Sequence, residues 1–513
     1  MNKFIKVKIN FFWQGIYQII TLIMGFIVPY VVLNTYGSEV NGLTSTIKQI
    51  ILLSTLASAG LTTAATYNLY KPIQEKDKDK IADIIKSVQH AYGIISLVSL
   101  LVCIMSSFIL SIFQKGNMSS VFVLIACLLT SFNTLIDLYF TATTSVLLTA
   151  LQDKYLISIG MLITTLIMYC GQIIICAFNL HFILLYTTSI VGTMCKVVFL
   201  RYYYNKKIQE LGINKTSGSG GHQFIFRNVG YAFANEVAHT VNVASQSVII
   251  TVLYGLAESS VLSVYMMVVN SLSLIAQVVY SSFGPSFGTV VAENNIKKTN
   301  DVFEIFQYTM IALNTFFYMC AIPLFIPFVE IYTKNAQDIQ YVSKILVVES
   351  ILYGVFYATR VPYNIVVSAT GKFKKSAIQT SITCFVTLGI AVVCTLFDYR
   401  LVLCGSIIFY ATNTFYQHFM LKNEVEGFNN NHFFKHISVT FICLITMYCI
   451  SYFITSKIPV KGVMSWTVMA VCIAFFSLLL LSVVSYIFDK NSMCKAIKYF
   501  KMKLLFKSGK ELK

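Results

Sequence analysis

The sequence predicts an all-α integral membrane protein with about 14 transmembrane helices, arranged as two six-helix bundles in pseudo-repeat followed by two C-terminal helices. Three observations predict this class. Of the 513 residues, 57% are hydrophobic and only 12% are charged, which excludes a soluble domain with a polar surface. Fourteen apolar runs are long enough, at about 1.5 Å per residue, to cross a hydrocarbon core of about 30 Å. The pattern of the first half returns about 220 residues later.

The apolar runs define the predicted spans and the domain boundaries. They begin near Phe11, Leu43, Val88, Val121, Leu156, Ile183, Val229, Ser263, Ile305, Ile339, Ser376, Leu401, Ile437 and Trp466. The chain is therefore divided into an N-terminal six-helix bundle, a cytoplasmic linker, a second six-helix bundle, two extra transmembrane helices and a basic amphipathic cytoplasmic tail, at residues 1–204, 205–228, 229–425, 426–489 and 490–513. The tail is expected to lie on the membrane surface.

Residues 36–86 contain the pattern on which both halves are built. A polar turn at 36–42 precedes an apolar helix, and a charged connector at 75–86 follows it. The connector has Ile81, Ile84, Ile85 and Val88 at helical spacing, which predicts a short helix on the inner membrane surface. In the second half, Tyr254-Gly255 opens the corresponding turn, and residues 301–306 resemble residues 80–85. Two halves built on one pattern indicate gene duplication.

The distribution of basic residues predicts the topology. With the N-terminus in the cytoplasm, 29 of the 38 Lys and Arg residues lie on inner segments and six lie on outer loops. The remaining three, Lys48, Lys196 and Arg360, lie within helices. This asymmetry predicts that both termini are cytoplasmic. The net charge of +17 is confined to connectors, so nucleic acid is not an expected partner.

Two motifs have both a functional and a structural interpretation. The run Thr216-Ser217-Gly218-Ser219-Gly220-Gly221 lacks the Gly-Lys-Ser/Thr ending of a phosphate-binding loop, which favours a flexible linker. His432 and His436 are four residues apart, but no further ligand stands at metal spacing. The 13 cysteines include no CxxC pair, and all but Cys494 fall in apolar segments. We therefore expect neither a metal nor another cofactor.

Polar residues recur along single faces of several spans. Inside hydrocarbon, such residues need a partner or a water-filled cavity. Helix-to-helix hydrogen bonding explains any single Asn or Gln, but stripes in both halves favour a shared central cavity. The candidate cavity residues are Gln14 and Gln18 on helix 1, Lys48 on helix 2, Asn235, His239, Asn242 and Gln246 on helix 7, Asn270 and Gln277 on helix 8, and Arg360 on helix 10. The candidates for ion coupling are Asp137, Glu236 and Glu349.

Short motifs recur in both halves of the chain. The first half contains Tyr36-Gly37-Ser38-Glu39-Val40-Asn41-Gly42-Leu43, then Ala59-Gly60-Leu61 and Leu69-Tyr70-Lys71-Pro72. The second half contains the run 258–265, followed by Ser281-Ser282-Phe283-Gly284-Pro285-Ser286-Phe287-Gly288. These motifs resemble those of bacterial polysaccharide repeat-unit flippases of the multidrug/oligosaccharidyl-lipid/polysaccharide exporter superfamily. The resemblance covers roughly residues 1–425. Lys48 departs from it, because a small polar residue is expected there.

The resemblance implies a fold and a function. The fold is two six-helix bundles around a cavity lined largely by helices 1, 2, 7 and 8. The implied activity is alternating-access movement of an undecaprenyl-diphosphate-linked oligosaccharide to the outer leaflet of the bacterial cytoplasmic membrane. The lipid-linked oligosaccharide and membrane lipids are the implied partners, a polysaccharide polymerase and glycosyltransferases are further candidates, and H⁺ or Na⁺ is a candidate coupling ion.

Two other functions compete with the flippase hypothesis. A cation-coupled drug exporter of the same fold should line its cavity with net acid, whereas Arg360 and Lys48 accompany the three candidate acids here. A membrane-embedded polysaccharide-modifying enzyme would need nucleophiles or acid–base pairs poised at one surface. No outer loop is large enough to hold such a site, and no inner loop shows such a constellation, so we expect no enzyme.

Overall fold

The computed structural model describes residues 3–116, 118–213, 229–293, 295–424, 432–457 and 462–507. Within these ranges the chain is helical apart from short turns, which confirms the all-α prediction. The helices are α1 Lys3–Ser54, α2 Leu56–Glu75, α3 Lys78–Phe113, α4 Ser120–Ala150, α5 Lys154–Ala177, α6 Leu184–Leu211, α7 Val229–Leu253, α8 Leu256–Ala292, α9 Ile296–Tyr332, α10 Lys344–Thr370, α11 Phe373–Phe397, α12 Leu403–Glu424, α13 Phe433–Lys457, α14 Val463–Phe488 and α15 Lys490–Lys507.

Ten helices in the described ranges are long and apolar enough to cross a membrane, so the chain is a multi-pass membrane protein. They are α1, α3, α4, α5, α6, α9, α10, α11, α13 and α14. Helix α1 contains the first predicted span and the beginning of the second. The other predicted spans correspond to α2, α7, α8 and α12.

The predicted polar turn at 36–42 differs from the structure. Only Gly37 leaves the helical conformation, with φ 80° and ψ −174°, and helix resumes at once. Ser38 donates from its backbone N and its Oγ to the Asp338 carboxylate, at 2.8 and 2.7 Å. This carboxylate satisfies one of the backbone N–H groups that a helix start leaves unpaired, so the chain can bend at one glycine without a longer turn. By contrast, the turn predicted at Tyr254-Gly255 is present between α7 and α8, with Gly255 at φ 148°.

The contacts divide the chain into two compact units. Unit 1 comprises residues 1–263 with 335–339, and unit 2 comprises residues 264–334 with 340–513. Helix α7 therefore belongs to unit 1, where it packs against α1 and α2. The linker predicted at 205–228 begins inside α6, and residues 214–228, with the Gly-rich run, lie outside the described residues.

The predicted surface helix at 75–86 is corrected by the structure of unit 1. Residues from Lys78 onward belong to α3, and Ile81, Ile84 and Val88 are at most 1% exposed. They pack with apolar side chains of α2, α4 and α6, including Leu69, Leu147 and Tyr204. Helical periodicity identified the apolar face of α3 correctly. That face packs against α2, α4 and α6, and it does not lie on the membrane surface as predicted.

The tail forms a helix, α15, that packs against α9 within unit 2. Ser492 and Ala496 are buried, while Lys495 donates to Glu304 of α9 at 2.7 Å. The first half of α15 is thus attached to the protein, which corrects the expectation that the tail simply lies on the membrane. The basic amphipathic pattern is the same in either arrangement, because α9 offers carboxylates where a membrane would offer acidic headgroups.

The two units contain the same close helix contact, which supports the internal repeat. In unit 1, a Cβ on Gly192 of α6 would lie 2.8 Å from the Thr164 carbonyl oxygen on α5. In unit 2, a Cβ on Gly405 of α12 would lie 2.4 Å from the Thr387 carbonyl oxygen on α11. A glycine is needed at both positions because the neighbouring backbone leaves no room for a side chain.

Candidate functional site

Of the three basic residues that the sequence places within spans, Lys48 is the one that other protein atoms leave exposed. It is exposed, although its neighbours Ile47 and Ile50 are buried at 3% and 8% exposure. It stands eleven residues, about 16 Å along the helix, beyond the Gly37 bend. With the outer turn predicted at 36–42 as the membrane boundary, that distance is close to half the thickness of a hydrocarbon core. Within the described ranges, Lys48 forms no ion pair. Placing a lysine at this depth against lipid costs a free energy of about 3 kcal/mol, so the position of Lys48 favours polar, water-accessible surroundings.

The stripe predicted on α7 runs from accessible to buried positions. Asn235 and His239 are half-buried, whereas Asn242 and Gln246 are 2% and 3% exposed. The buried Oδ1 of Asn242 accepts no hydrogen bond from the described residues. Glu236, one residue from the start of the stripe, is exposed. The second half of the stripe, Asn242 and Gln246, is therefore packed inside unit 1, whereas its first half is partly exposed in this conformation.

The remaining amide candidates fall into two groups. Gln14 on α1 is exposed, and its Oε1 accepts a hydrogen bond from Ser158 of α5 at 2.8 Å. Gln18, one turn later, is half-buried. In unit 2, Asn270 and Gln277 on α8 are both exposed. Gln14 thus links two helices while remaining exposed, and the α8 pair presents two amide side chains at the surface of its unit.

The polar stripe on α10 faces α12. Glu349 accepts from the Leu403 backbone N at 3.1 Å and from Cys404 Sγ at 2.8 Å. Leu403 is the first residue of α12, so Glu349 caps that helix and lies favourably at its positive end. Further along, Asn364 accepts from Gln417 at 3.1 Å. Helix packing accounts for both ends of this stripe, including the ion-coupling candidate Glu349.

Arg360 occupies the middle of the same interface. It is 8% exposed, and its guanidinium carbon lies 5.4 Å from the ring centre of Tyr410 on α12. Tyr353 and Tyr357 of α10 pack edge-on against that ring, each at 5.3 Å between centroids. Arg360 makes no salt bridge with a described carboxylate, and its buried Nε has no hydrogen-bond partner among the described atoms. The Tyr410 ring therefore stabilises the Arg360 guanidinium by a cation–π contact, and the Nε–H donor has no acceptor among the described atoms.

An ion pair between Asp137 and Lys196 was missed by sequence reasoning. Lys196 on α6 is 7% exposed, and its Nζ lies 2.5 Å from Asp137 Oδ1 on α4. Thr141 also donates to that carboxylate at 2.9 Å. Gly160 makes room for the lysine stem, since a Cβ there would lie 3.1 Å from Lys196 Cγ. The sequence did carry a signal for this pair: Asp137 and Lys196 are single charged residues in nearby apolar spans, and each needs an opposite charge inside a membrane.

The two histidines also have partners in unit 2. His436 Nε2 lies 2.8 Å from Asp489, and His432 lies 3.8 Å from both Asp489 and Glu304. Asp489 follows the last residue of α14, outside the span. Burial alone raises the pKa of Asp489, but the close approach of His436 and the hydrogen bond donated by Ser492 outweigh it and hold the pKa below its usual value. Among the described residues, no group of three or more His, Cys, Asp and Glu side chains could hold a metal ion.

Comparisons with known proteins identify the fold. No family model matches the chain, and no curated protein matches it. Solved structures do. The lipid II flippase MurJ in an inward closed conformation superposes with a TM-score of 0.66 at 15% identity, covering 92% of this chain and 98% of that one. A multidrug resistance MATE family transporter of the MOP superfamily, in an inward-facing conformation, gives 0.64 at 14% identity, covering 82% and 99%. A MOP superfamily transporter from Pyrococcus furiosus gives 0.54 at 14% identity, covering 83% and 95%. The chain therefore has the fold of MOP superfamily transporters.

Proposed function

We propose that this protein is a flippase that moves an undecaprenyl-diphosphate-linked oligosaccharide repeat unit from the inner to the outer leaflet of the bacterial cytoplasmic membrane. It would work by alternating access and would deliver repeat units for the synthesis of a cell-surface polysaccharide. It would catalyse no covalent reaction. Both termini would lie in the cytoplasm, as the charge distribution predicts. The fold supports a transporter, since a lipid II flippase and a MATE transporter both share it.

The observation that carries the proposal is the exposed Lys48, which forms no ion pair with a described residue. A diphosphate linkage is the most concentrated negative charge on a lipid-linked sugar, and a lysine ammonium binds phosphate as a point charge. Lys196 and Arg360 are both buried and held by a side chain of their own unit, whereas Lys48 is exposed without an ion-pair partner in the described ranges. An anionic ligand would supply a counter-charge for the Lys48 ammonium.

The amide and imidazole side chains suit the sugar part of such a substrate. Hydroxyl groups of sugars pair with groups that both donate and accept hydrogen bonds. In unit 1, Gln14 is exposed and Gln18, Asn235 and His239 are half-buried; in unit 2, Asn270 and Gln277 are exposed. Asn242 and Gln246 would have to become accessible in another conformation. Arg360 is a second candidate for the diphosphate, because its guanidinium can hold two oxygens at once.

Coupling to an H⁺ or Na⁺ gradient is a separate part of the proposal. Among the three candidate acids, Glu349 caps α12 and Asp137 is paired with Lys196. Glu236 is exposed at the start of the α7 stripe. The geometry therefore favours Glu236 as the acid that binds a coupling ion.

A multidrug exporter is the second candidate, because a MATE family transporter shares the fold. Such a protein would handle organic cations, which an accessible lysine would repel. The positive charge of Lys48 therefore favours an anionic lipid-linked substrate over a cationic drug.

The proposal is tested with purified full-length protein in sealed vesicles. A prenyl-diphosphate oligosaccharide is incorporated in both leaflets, and a membrane-impermeant lectin or glycosidase reports the accessible fraction. We expect the protein to make the protected lipid accessible. Transport of a cationic dye, with no movement of the lipid-linked sugar, would establish the exporter instead.

Orientation is tested separately in cells, with reporter fusions after Lys115 and after Lys513. We expect the two fusions to report opposite sides of the membrane. The same side for both would contradict the proposed topology.

A further inference from the structure

A groove on unit 1 that Lys48 does not line has basic residues at one end and apolar residues along the rest. It lies between α3 and α4 and has a cavity volume of about 750 Å³. A second cavity of about 170 Å³ continues it between α3 and α6, and the two share Lys86 and Gln89. Their lining is thus one continuous surface on three helices of the same unit.

The charged end of this groove is formed by residues from two helices. Lys86 and His90 of α3 line the larger cavity, and Arg201 of α6 lines the smaller one with Lys86. Arg201 is exposed, and its guanidinium carbon lies 5.7 Å from the Tyr204 ring centre. The groove end therefore offers ammonium and guanidinium donors to an anion.

The apolar part follows the same face of α3 away from the charges. Ile94 and Leu97 are 52% and 59% exposed, and Tyr139 and Phe140 of α4 form the opposite wall at 48% and 46%. From Lys86 to Leu97 the groove extends about 16 Å along the helix axis. That length matches one leaflet, which is about half of a 30 Å hydrocarbon core.

We propose that this groove binds an acidic membrane phospholipid, with its phosphate between Lys86 and Arg201 and an acyl chain along Ile94, Leu97 and Phe140. A soluble anion would use only the basic end and leave the apolar walls in contact with bulk lipid. A zwitterionic lipid would place its own cation beside the Lys86 ammonium and the Arg201 guanidinium. An acidic lipid satisfies both the charge and the exposed apolar surface.

The test measures lipid preference at the groove itself. Leu97→Trp is introduced in full-length protein carrying Trp13→Phe and Trp466→Phe, and the protein is placed in vesicles with brominated phosphatidylglycerol or brominated phosphatidylcholine. We expect phosphatidylglycerol to quench more strongly at equal mole fraction. Because one basic residue near a surface contributes roughly a fivefold preference, Lys86→Gln with Arg201→Gln should reduce the relative affinity by about tenfold or more.

The control removes two exposed lysines that line neither cavity, Lys76→Gln with Lys154→Gln. It should keep the preference, and monodisperse elution shows that each variant is folded. Equal quenching by both lipids in the parent, or an equal loss in the control pair, would overturn the proposal. Displacement of phosphatidylglycerol by a trace of prenyl diphosphate would also overturn it, by assigning the groove to the transported lipid.

Discussion

Lys48 and Lys196 are both lysines inside membrane spans of unit 1, yet their surroundings differ. Lys196 is buried, and its ammonium lies 2.5 Å from the Asp137 carboxylate. Lys48 is exposed and has no carboxylate partner in the part of the chain described. A buried pair holds two helices in place, whereas an accessible single charge is costly unless a ligand or water uses it. Accessibility and pairing together, and not position in a span alone, separate a structural charge from a functional one.

Arg360 lies between these two cases. Like Lys196 it is buried, and like Lys48 it makes no ion pair with a described residue. Its partner is the face of Tyr410, which stabilises a cation without neutralising it. The following experiments test whether Lys48 binds an anion, whether Lys196 is structural and which of the two Arg360 resembles.

Removing Lys48 is expected to have the largest effect. Lys48→Ala should reduce transport of the lipid-linked oligosaccharide by about tenfold or more, because a charge-assisted hydrogen bond contributes about 1.5–3 kcal/mol. Lys48→Arg should retain much of the activity. Initial rates in vesicles are compared at matched protein amounts. Unchanged transport by the alanine variant would remove Lys48 from the mechanism.

Arg360→Ala is expected to impair transport severely and Arg360→Lys partially, since a lysine keeps the charge but not the planar pair of donors. Complementation of a flippase-deficient strain gives the activity, and membrane fractions give the amount of protein. Full activity of the alanine variant would exclude a role in transport. Loss of the protein itself would show that Arg360 acts by packing on Tyr410, as Lys196 acts by pairing.

Breaking the pair at Lys196 should affect stability more than transport. Asp137→Ala leaves a buried lysine unpaired, and we expect a loss of about 2 kcal/mol, because the 41% exposed Asp137 side chain lets solvent offset part of the usual cost. Replacing both residues, Asp137→Leu with Lys196→Met, should restore most of that stability. Thermal unfolding in detergent measures both variants. A double variant as unstable as the single one would mean that the pair is required for another reason.

Acidification should weaken the attachment of α14 to α13 through Asp489, with the smallest effect of the four. The folded pKa of Asp489 is depressed, so its stabilisation is present above the unfolded pKa of about 3.9 and is lost as the pH falls through the lower folded value. Unfolding temperatures should be flat with respect to this group above about pH 5 and decline below about pH 4. Asp489→Asn should remove that acid dependence. An unchanged pH profile in the variant would assign the decline to other groups.

The sequence predicted most of what depends on local order. Apolar run length and helical periodicity gave the membrane class and the helices, and they gave the apolar face of α3 that includes Ile81 and Ile84. They also placed Arg360 among the polar residues that recur along single faces of the spans. Composition and spacing suffice for this because a helix fixes which of its own residues share a face.

Only the tertiary structure decided what covers each face. Sequence spacing does not show that α12 meets the α10 stripe, that α9 receives the tail, or that Lys196 reaches Asp137 from a helix two spans away. It also cannot separate buried Lys196 from exposed Lys48, since both are single lysines in apolar runs. Helical periodicity is a property of neighbours in the chain, whereas pairing and accessibility depend on side chains brought together by the packing of distant helices.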